Sequence, residues 1–372
     1  AMRIESIRVQ NFKSISEVNI EFDELNIFIG KNAAGKSNLF EVFQFLKDIG
    51  EQNLENAIQL RGGTEYFRNI RIEDSENFEV SCSFSQGEKR HGGKRTFADK
   101  EYLLSSVYHT DYDLVIGFSD GDFEVVNEKI VNKRTARDTD QGISDGFEIE
   151  EIICRKGNNI TRRIESSDEG PEIEADSHRF GMFRSNDISD KESILSFGGH
   201  PRRNFITGLH GLSELMLYDI EPRKIKKGTT LKGKRELEED GENLPLVLKE
   251  IVSSDSDKEK FLNIIGDVLP FLKDWQTDTL RDKSVFLKIL EEFKEKDEEY
   301  LPSDMVSDGT LNVIALVIML YFERRDIIFI EEPEENIHPS LISKIVDMME
   351  DVSANSDRQV FVTTHNVELI KN

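Results

Sequence analysis

The chain has 372 residues, enough for two to three domains at roughly 150 residues each. It carries 48 Lys and Arg against 73 Asp and Glu, a formal charge of −25, and so acidic a mean field repels phosphate and excludes a general nucleic-acid coat. The longest apolar run, residues 313–322, is too short to span a bilayer, and two cysteines, Cys82 and Cys154, make neither a disulfide framework nor a structural zinc site. No secretion-signal pattern opens the sequence, so the expected setting is the reducing cytoplasm, with no membrane partner.

In chain order, Ile4, Ile7 and Val9, then Val18, Ile20 and Phe22, are the apolar positions of two strands separated by Asn11-Phe12-Lys13-Ser14. Residues 25–29 form a buried strand ending at Gly30, and after a glycine loop residues 38–49 have helical spacing at Leu39, Val42, Phe43 and Leu46. Residues 61 to about 180 are turn-rich and β-like, with Gly62-Gly63, Gly92-Gly93 and short apolar runs at 78–84 and 114–118. Acidic, Ser- and Gly-rich loops interrupt them around 137–149 and 165–177. From about residue 205 the pattern predicts helices over 209–220, 244–252 and 258–272, the last with Phe261, Ile264, Ile265 and Leu269 on one face. Residues 285–290 read as a strand, 310–322 as a very apolar helix, and 326–330 and 359–362 as buried strands. No 20–50-residue period and no sustained a/d heptad occurs, which excludes a solenoid and a long coiled coil. Strands alternating with helices at both ends predict an α/β core assembled from the two termini, with the middle inserted.

Gly30-Lys31-Asn32-Ala33-Ala34-Gly35-Lys36-Ser37 matches G-x-x-x-x-G-K-S between a predicted strand and a predicted helix, the context of a P-loop. Successive backbone N–H groups and a helix N-terminus form an anion cradle, Lys36 neutralises the β- and γ-phosphates, and the Ser37 hydroxyl is a Mg²⁺ ligand. The candidate ATP-binding residues here are Gly30, Lys31, Asn32, Ala34, Gly35, Lys36, Ser37 and Asn38. A second strand delivers Glu331 and Glu332 at its C-terminal end, where open α/β sheets place ligands. Glu331 is the candidate Mg²⁺ ligand and Glu332 the candidate base for the attacking water. The competing reading is a solvated acidic turn, Glu331-Glu332-Pro333-Glu334-Glu335. His365 follows the last strand through Thr363-Thr364 and reads either as a donor to a γ-phosphate or as a structural histidine; Ser307-Asp308-Gly309-Thr310-Leu311 reads as a helix cap or an anion-binding helix N-terminus.

Together and in this order, these elements resemble the ABC-type ATPase superfamily, and within it the compact RecF/SMC-like branch described as AAA15 or overcoming-lysogenization-defect (OLD)-like AAA family ATPases. The opening Asn11-Phe12-Lys13-Ser14-Ile15 and the loop from Gly30 to Asn38 are similar to the start of that family. Ser307 to Leu311 resembles its signature loop, Glu331-Glu332-Pro333-Glu334 with His338-Pro339 its Walker B and D-loop, and Thr363-Thr364-His365-Asn366 its switch histidine. The likeness covers roughly residues 2–70 and 300–372 and is weak between them. It implies an ABC-type P-loop ATPase head with an inserted β-rich and helical lobe and no long coiled coil: residues 2–70 and 300–372 as core, 71–180 as a β-rich lobe, and 181–299 as a helical insertion. It also implies a head-to-tail homodimer holding two ATP with Mg²⁺, each between the P-loop of one subunit and Ser307 and Gly309 of the other, with Glu332 and His365 catalytic. Ala33 stands where glycine is frequent, Asn312 where arginine is common, and Glu331 where aspartate is commoner; Gln52 and Gln59 are the candidates for the Q-loop glutamine.

Arg223, Lys224, Lys226, Lys227, Lys232, Lys234 and Arg235 fall within fourteen residues free of acids, followed at once by acidic residues 236–242. They read either as a solvated loop neutralised by its neighbour or as a local DNA phosphate contact. The functional expectation is ATP hydrolysis coupled to DNA metabolism or antiviral defence. The alternative is a slow-turnover scaffold whose ATP-bound dimer controls an effector nuclease or toxin. A transporter subunit does not suit the long insertion, and GTP use lacks its motif, since Asn132-Lys133-Arg134-Thr135 has no aspartate. The sequence stops seven residues after His365 in what reads as a helix start; because relatives usually continue, a further effector segment or a separate effector is expected.

Overall fold

A computed structural model describes residues 1–31, 35–69, 76–87, 94–97, 100–138, 146–166, 188–197, 212, 215–231, 235–292 and 299–370. The N-terminal elements are β1 (Met2–Phe12), β2 (Ile15–Glu21), β3 (Leu25–Ile29), α1 (Lys36–Glu51), α2 (Leu54–Gln59) and α3 (Thr64–Phe67). The middle holds β4 (Phe78–Gln86), β5 (Lys94–Phe97), β6 (Lys100–Leu104), β7 (His109–Ser119), β8 (Asp122–Asp138), β9 (Phe147–Lys156) and β10 (Asn159–Ser166). There follow β11 (Leu215–Tyr218), α4 (Pro222–Ile225), β12 (Thr229–Thr230), α5 (Leu244–Val252), α6 (Asp255–Val268), β13 (Leu272–Thr279), β14 (Ser284–Glu291) and β15 (Tyr300–Pro302). The chain then runs through α7 (Asp308–Tyr321), β16 (Ile327–Glu331), α8 (Ile342–Asn355) and β17 (Gln359–Thr364). Among the described residues no helix is long and apolar enough to cross a membrane, and the longest, α1, has 16 residues, so no long coiled coil is present.

Two compact units result: Ala1–Asp23 with Ser37–Leu215, and Glu24–Lys36 with Met216–Asn372. This differs from the grouping of residues 2–70 with 300–372 expected from the sequence. The reason is pairing: β1 is hydrogen-bonded to β4 along most of its length, which draws the N-terminal strands into the β-rich unit. Conversely, residues of α5, α6, β13 and β14 share one core with α7, so this stretch of the helical insertion belongs with the C-terminal part.

The first unit is built on an antiparallel sheet of order β10-β9-β8-β7-β4-β1-β2, with β6 on β8 and β5 on β6. Residues 38–49 form the predicted helix, and α1 buries Leu39, Val42, Phe43 and Leu46 at its apolar spacing. Phe45 joins Phe12, Phe67 and Phe78 in a cluster with ring centroids 4.8–5.9 Å apart. Asn11 and Lys13 both have positive φ (56° and 47°) in the β1–β2 turn. That conformation is stabilised by contacts at several points: Asn69 N donates to Asn11 Oδ1 (2.9 Å), Lys13 N donates to Phe67 O (3.0 Å), and the Lys13 ammonium pairs with Glu41. The same sheet buries Glu128, whose carboxylate accepts from Tyr112 Oη (2.9 Å), Ser193 Oγ (2.6 Å) and Ile194 N (2.8 Å); burial raises its pKa against these bonds.

The second unit holds a four-stranded sheet of order β11-β16-β17-β3, and a smaller one in which β14 lies between β12 and β13 and also pairs with β15. Both β16 and β17 are apolar and buried, as strands covered on both faces require. Helix α7 is buried from Thr310 to Leu320, which explains its all-round apolar sequence. Residues 209–220, predicted helical, instead contain strand β11, because Leu215–Tyr218 joins the edge of the sheet beside β16; residues 209–211, 213 and 214 lie outside the described set. The expected helix over 258–272 ends at Val268, and Leu272 begins β13, whose interrupted burial pattern hid it from the sequence reading.

Among the described residues of the first unit, His109 at the start of β7 is the group placed to sense neutral pH. Its hydrogen bond to Asp111 (3.0 Å) is the largest of the influences that raise its pKa above 6.5, aided by the charges of Asp111 and Glu5 and opposed by partial burial and Lys133. The protonated form is favoured in the folded state, so its contribution is complete below pH 6.5 and is lost as pH rises through the folded value. Thermal unfolding followed across that window should show a decline in stability that His109→Gln abolishes. An identical slope in that variant would assign the pH response elsewhere.

Candidate functional site

Strands β16, β17 and β3 are parallel, with Glu331 opposite Thr363, Thr363 opposite Phe28 and Thr364 opposite Ile29. Their C-terminal ends therefore lie on one edge of the sheet, the edge where α/β folds bind ligands. Two backbone bonds extend the register into the loops: Gly30 N donates to Thr364 O (3.3 Å) and Glu332 N to Thr363 O (2.9 Å). Gly30, Glu331, Glu332 and His365 thus lie at or just beyond one edge of the sheet.

The glycine loop leaves β3 at Gly30, and Gly35 adopts φ 92°, a conformation that costs glycine little. Lys36 Nζ donates to Gly30 O (2.5 Å) and Lys31 O (3.1 Å), folding the ammonium back over its own loop. Asn32, Ala33 and Ala34 lie outside the described residues. Ser37 and Asn38 open the part of α1 that belongs to the first unit, where Asn38 Nδ2 donates to Ser14 Oγ (2.6 Å); that side chain is therefore engaged with the Asn11–Ser14 turn. Gln52 and Gln59 also belong to the first unit.

At the end of β16, Glu332 has φ 42°, a left-handed backbone unusual for a non-glycine residue and costing roughly 1–3 kcal/mol. Its turn is closed by Glu335 N donating to Glu332 O (2.9 Å) and Ile337 N to Glu334 O (3.1 Å). The Glu332 carboxylate stands 3.3 Å from His365 Nδ1, so the candidate base and the candidate switch histidine are in contact. Glu334 lies 3.8 Å from the same nitrogen and accepts from the Thr364 hydroxyl. The sequence reading also missed Asp219, directly after β11. Burial, then Glu221 and then Glu332, hold its carboxyl above the usual carboxylate range against Lys224. Glu221 is two residues away in the sequence, but the burial and the approach of Glu332 from beyond β16 have no local signal.

Ser307 caps α7: its Oγ accepts from Thr310 N (3.1 Å) and lies 2.8 Å from Thr310 Oγ1. Gly309 packs so tightly on the turn after β16 that a Cβ there would stand 2.3 Å from Asn336 O. Asn312 Nδ2 donates to Glu335 O (2.7 Å), so the signature-like helix start and the Walker B-like turn form one packed piece. Lys226 reaches Asp308 (2.5 Å), Lys224 pairs with Glu221 and Asp240 (both 2.8 Å), and Arg235 with Glu250 (3.3 Å). Three of the five described cations of the basic segment are therefore paired within the chain, while Lys232 and Lys234 lie outside the described residues.

A family model described as "AAA domain, putative AbiEii toxin, Type IV TA system" matches residues 25–371. The chain is 22% identical over 383 aligned positions to an ATP/GTP phosphatase of Helicobacter pylori, covering 99% of this chain and 86% of that protein. It is 48% identical over 46 residues to the DNA replication and repair protein RecF of Lactobacillus acidophilus, a match spanning 12% of this chain and 12% of RecF's length. Among solved structures, an Smc head bound to the C-winged helix domain of ScpA aligns with 99% of this chain and 92% of its own, at 13% identity and a TM-score of 0.47.

Gly309→Ala tests the packing of α7 on the turn. Alanine in a helix gains up to about 1 kcal/mol over glycine, but a methyl at 2.3 Å from a backbone oxygen forces the turn to move, an overpacking cost of about 1–3 kcal/mol. The clash should win, lowering stability in urea unfolding; a stabilised variant would show that helix and turn are not in contact.

Proposed function

The chain belongs to this AAA-domain family, and from that premise we propose that it binds Mg-ATP on the loop of residues 30–37 and hydrolyses it with Glu332 as general base. The ATPase class is the RecF/SMC-like one. The observation that carries the residue assignment is the parallel register of β3, β17 and β16, which sets the Lys36 loop, His365 and the two carboxylates on one sheet edge.

Lys36 would exchange the carbonyls of Gly30 and Lys31 for phosphate oxygens, turning two neutral acceptors into charged ones. The Ser37 hydroxyl and the Glu331 carboxylate are the hard oxygen donors that would hold magnesium, which when bound neutralises charge on the transferring phosphoryl group. Glu332 takes the proton of the attacking water at its carboxylate, and its left-handed backbone turns that group away from the line of the strand. His365, in contact with it, orients against the γ-phosphate.

A second copy of the chain would supply Ser307 and Gly309, whose helix start offers backbone N–H groups to the nucleotide. The coupled process is DNA metabolism or antiviral defence, a reading supported by the RecF relative's name and by the toxin in the family's description. Internal pairing of Lys224, Lys226 and Arg235 weakens the case for direct DNA contact and favours the second reading, a slow-turnover dimer that controls a nuclease or toxin.

Lys36→Ala should abolish ATP binding measured by calorimetry; unchanged affinity would remove the phosphate-loop assignment. Glu332→Gln should keep ATP but lose the base, slowing hydrolysis by about 10²–10⁴-fold, and should accumulate as an ATP-dependent dimer in light scattering. Adding Ser307→Arg should prevent that dimer. Hydrolysis by Glu332→Gln at the parent rate would exclude Glu332 as base.

A further inference from the structure

We propose that Glu334 is a positioning residue for hydrolysis: its buried carboxylate, tied to the Thr364 hydroxyl, retains the His365 Nδ1 proton when Glu332 turns to the attacking water. The inference rests on Glu332 being the base. Its starting point is an unusual carboxylate. The Glu334 side chain is 5% exposed, and its Oε2 has no hydrogen-bond partner among the described residues. The other oxygen, Oε1, is the one that faces Thr364 and His365.

The direction of the bonds around Glu334 is determined. Thr364 Oγ1 accepts from Asn366 N (2.9 Å), so its single proton is directed at Glu334 Oε1. Thr364 is fully buried in β17, which leaves Glu334 Oε1 little freedom. That oxygen is 3.8 Å from His365 Nδ1, and Glu332 Oε1 is 3.3 Å from the same nitrogen. Two carboxylate oxygens facing one ring nitrogen assign the proton to Nδ1, because an unprotonated Nδ1 would set its lone pair against theirs. Nε2 is then the nitrogen presented to a nucleotide.

Once Glu332 has taken a proton from water, its carboxyl no longer carries the charge that holds the imidazole through Oε1. Glu332 is partly exposed and lies on a turn; Glu334 is buried and clamped. When Glu332 leaves, Glu334 needs to close less than an ångström to become a hydrogen-bonding partner. One carboxylate is thereby freed for chemistry while the other keeps the ring's tautomer and orientation, the service a carboxylate performs for a metal-bound histidine.

The test separates this role from that of Glu332. In ¹⁵N-labelled, nucleotide-free chain, with His365 signals identified by their loss in His365→Gln, the Nδ1–H form should predominate. It should persist in Glu332→Gly, a change that suits the left-handed backbone at that position, and should disappear when Glu334→Gln is added. With Glu332 intact, Glu334→Gln should lower kcat on the order of 10–100-fold with KM for ATP unchanged. Thr364→Val, which removes the hydroxyl that clamps Oε1, should act like Glu334→Gln, and Thr364→Ser should restore the parent; this pair carries the test if Glu334→Gln does not fold. Loss of the Nδ1–H form in Glu332→Gly alone, its survival in the double variant, or a parental kcat in Glu334→Gln would overturn the proposal. If the parent chain hydrolyses no ATP, the base assignment fails, while the nucleotide-free spectra still decide what holds His365.

Discussion

Parallel hydrogen bonding of β16, β17 and β3 carries three strand ends, drawn from opposite ends of the chain, to one edge of one sheet. Everything at the site hangs from that register. A shift of one residue would invert each side chain across the sheet and part the Walker B-like carboxylates from the glycine loop. Burial guards against it. Ile327, Ile328, Phe329, Ile330, Val360, Phe361 and Val362 are all buried, each stabilising by roughly 1.5–3 kcal/mol relative to exposure, and Phe329 stacks on Phe361 at 4.4 Å.

That stabilisation exceeds the strain stored just beyond it. Glu332 departs from the strand in a left-handed conformation costing about 1–3 kcal/mol, and its N–H is still tied to Thr363 O. The turn it begins is pressed against the start of α7 at Gly309 and Asn312. The turn is therefore linked by contacts to the Ser307 loop, and through Asp308 to Lys226 of the basic segment. The chain of contacts runs within one unit and consists of short polar links on a rigid apolar base.

The first unit answers a different demand. Its Asn11-Phe12-Lys13-Ser14 turn bears the family resemblance yet does structural duty: Phe12 enters the aromatic cluster, Lys13 pairs with Glu41, and Ser14 receives the Asn38 amide. A turn with two positive-φ residues needs such anchoring, since neither Asn11 nor Lys13 has glycine's freedom.

Local pattern determined the glycine loop, α1, the apolar helix α7 and the buried strands β3, β16 and β17, because their spacing and flanking signals lie within a few residues of one another. It determined Lys36, Glu331, Glu332 and His365 as candidates for the same reason. Pairing partners are not local. Strand β11 carries Leu215–Tyr218 in a stretch that reads equally well as helix, and only a place beside β16 makes it a strand. The grouping of the N-terminal strands with the β-rich lobe was decided by the β1–β4 ladder. Tertiary structure alone singled out Glu334 and Asp219 among 73 acidic residues. A carboxylate's chemistry depends on what surrounds it, and here those surroundings are Thr364 and His365 from β17 and its loop, and Glu332 beyond β16, which meet only when parallel strands bring distant segments to one edge.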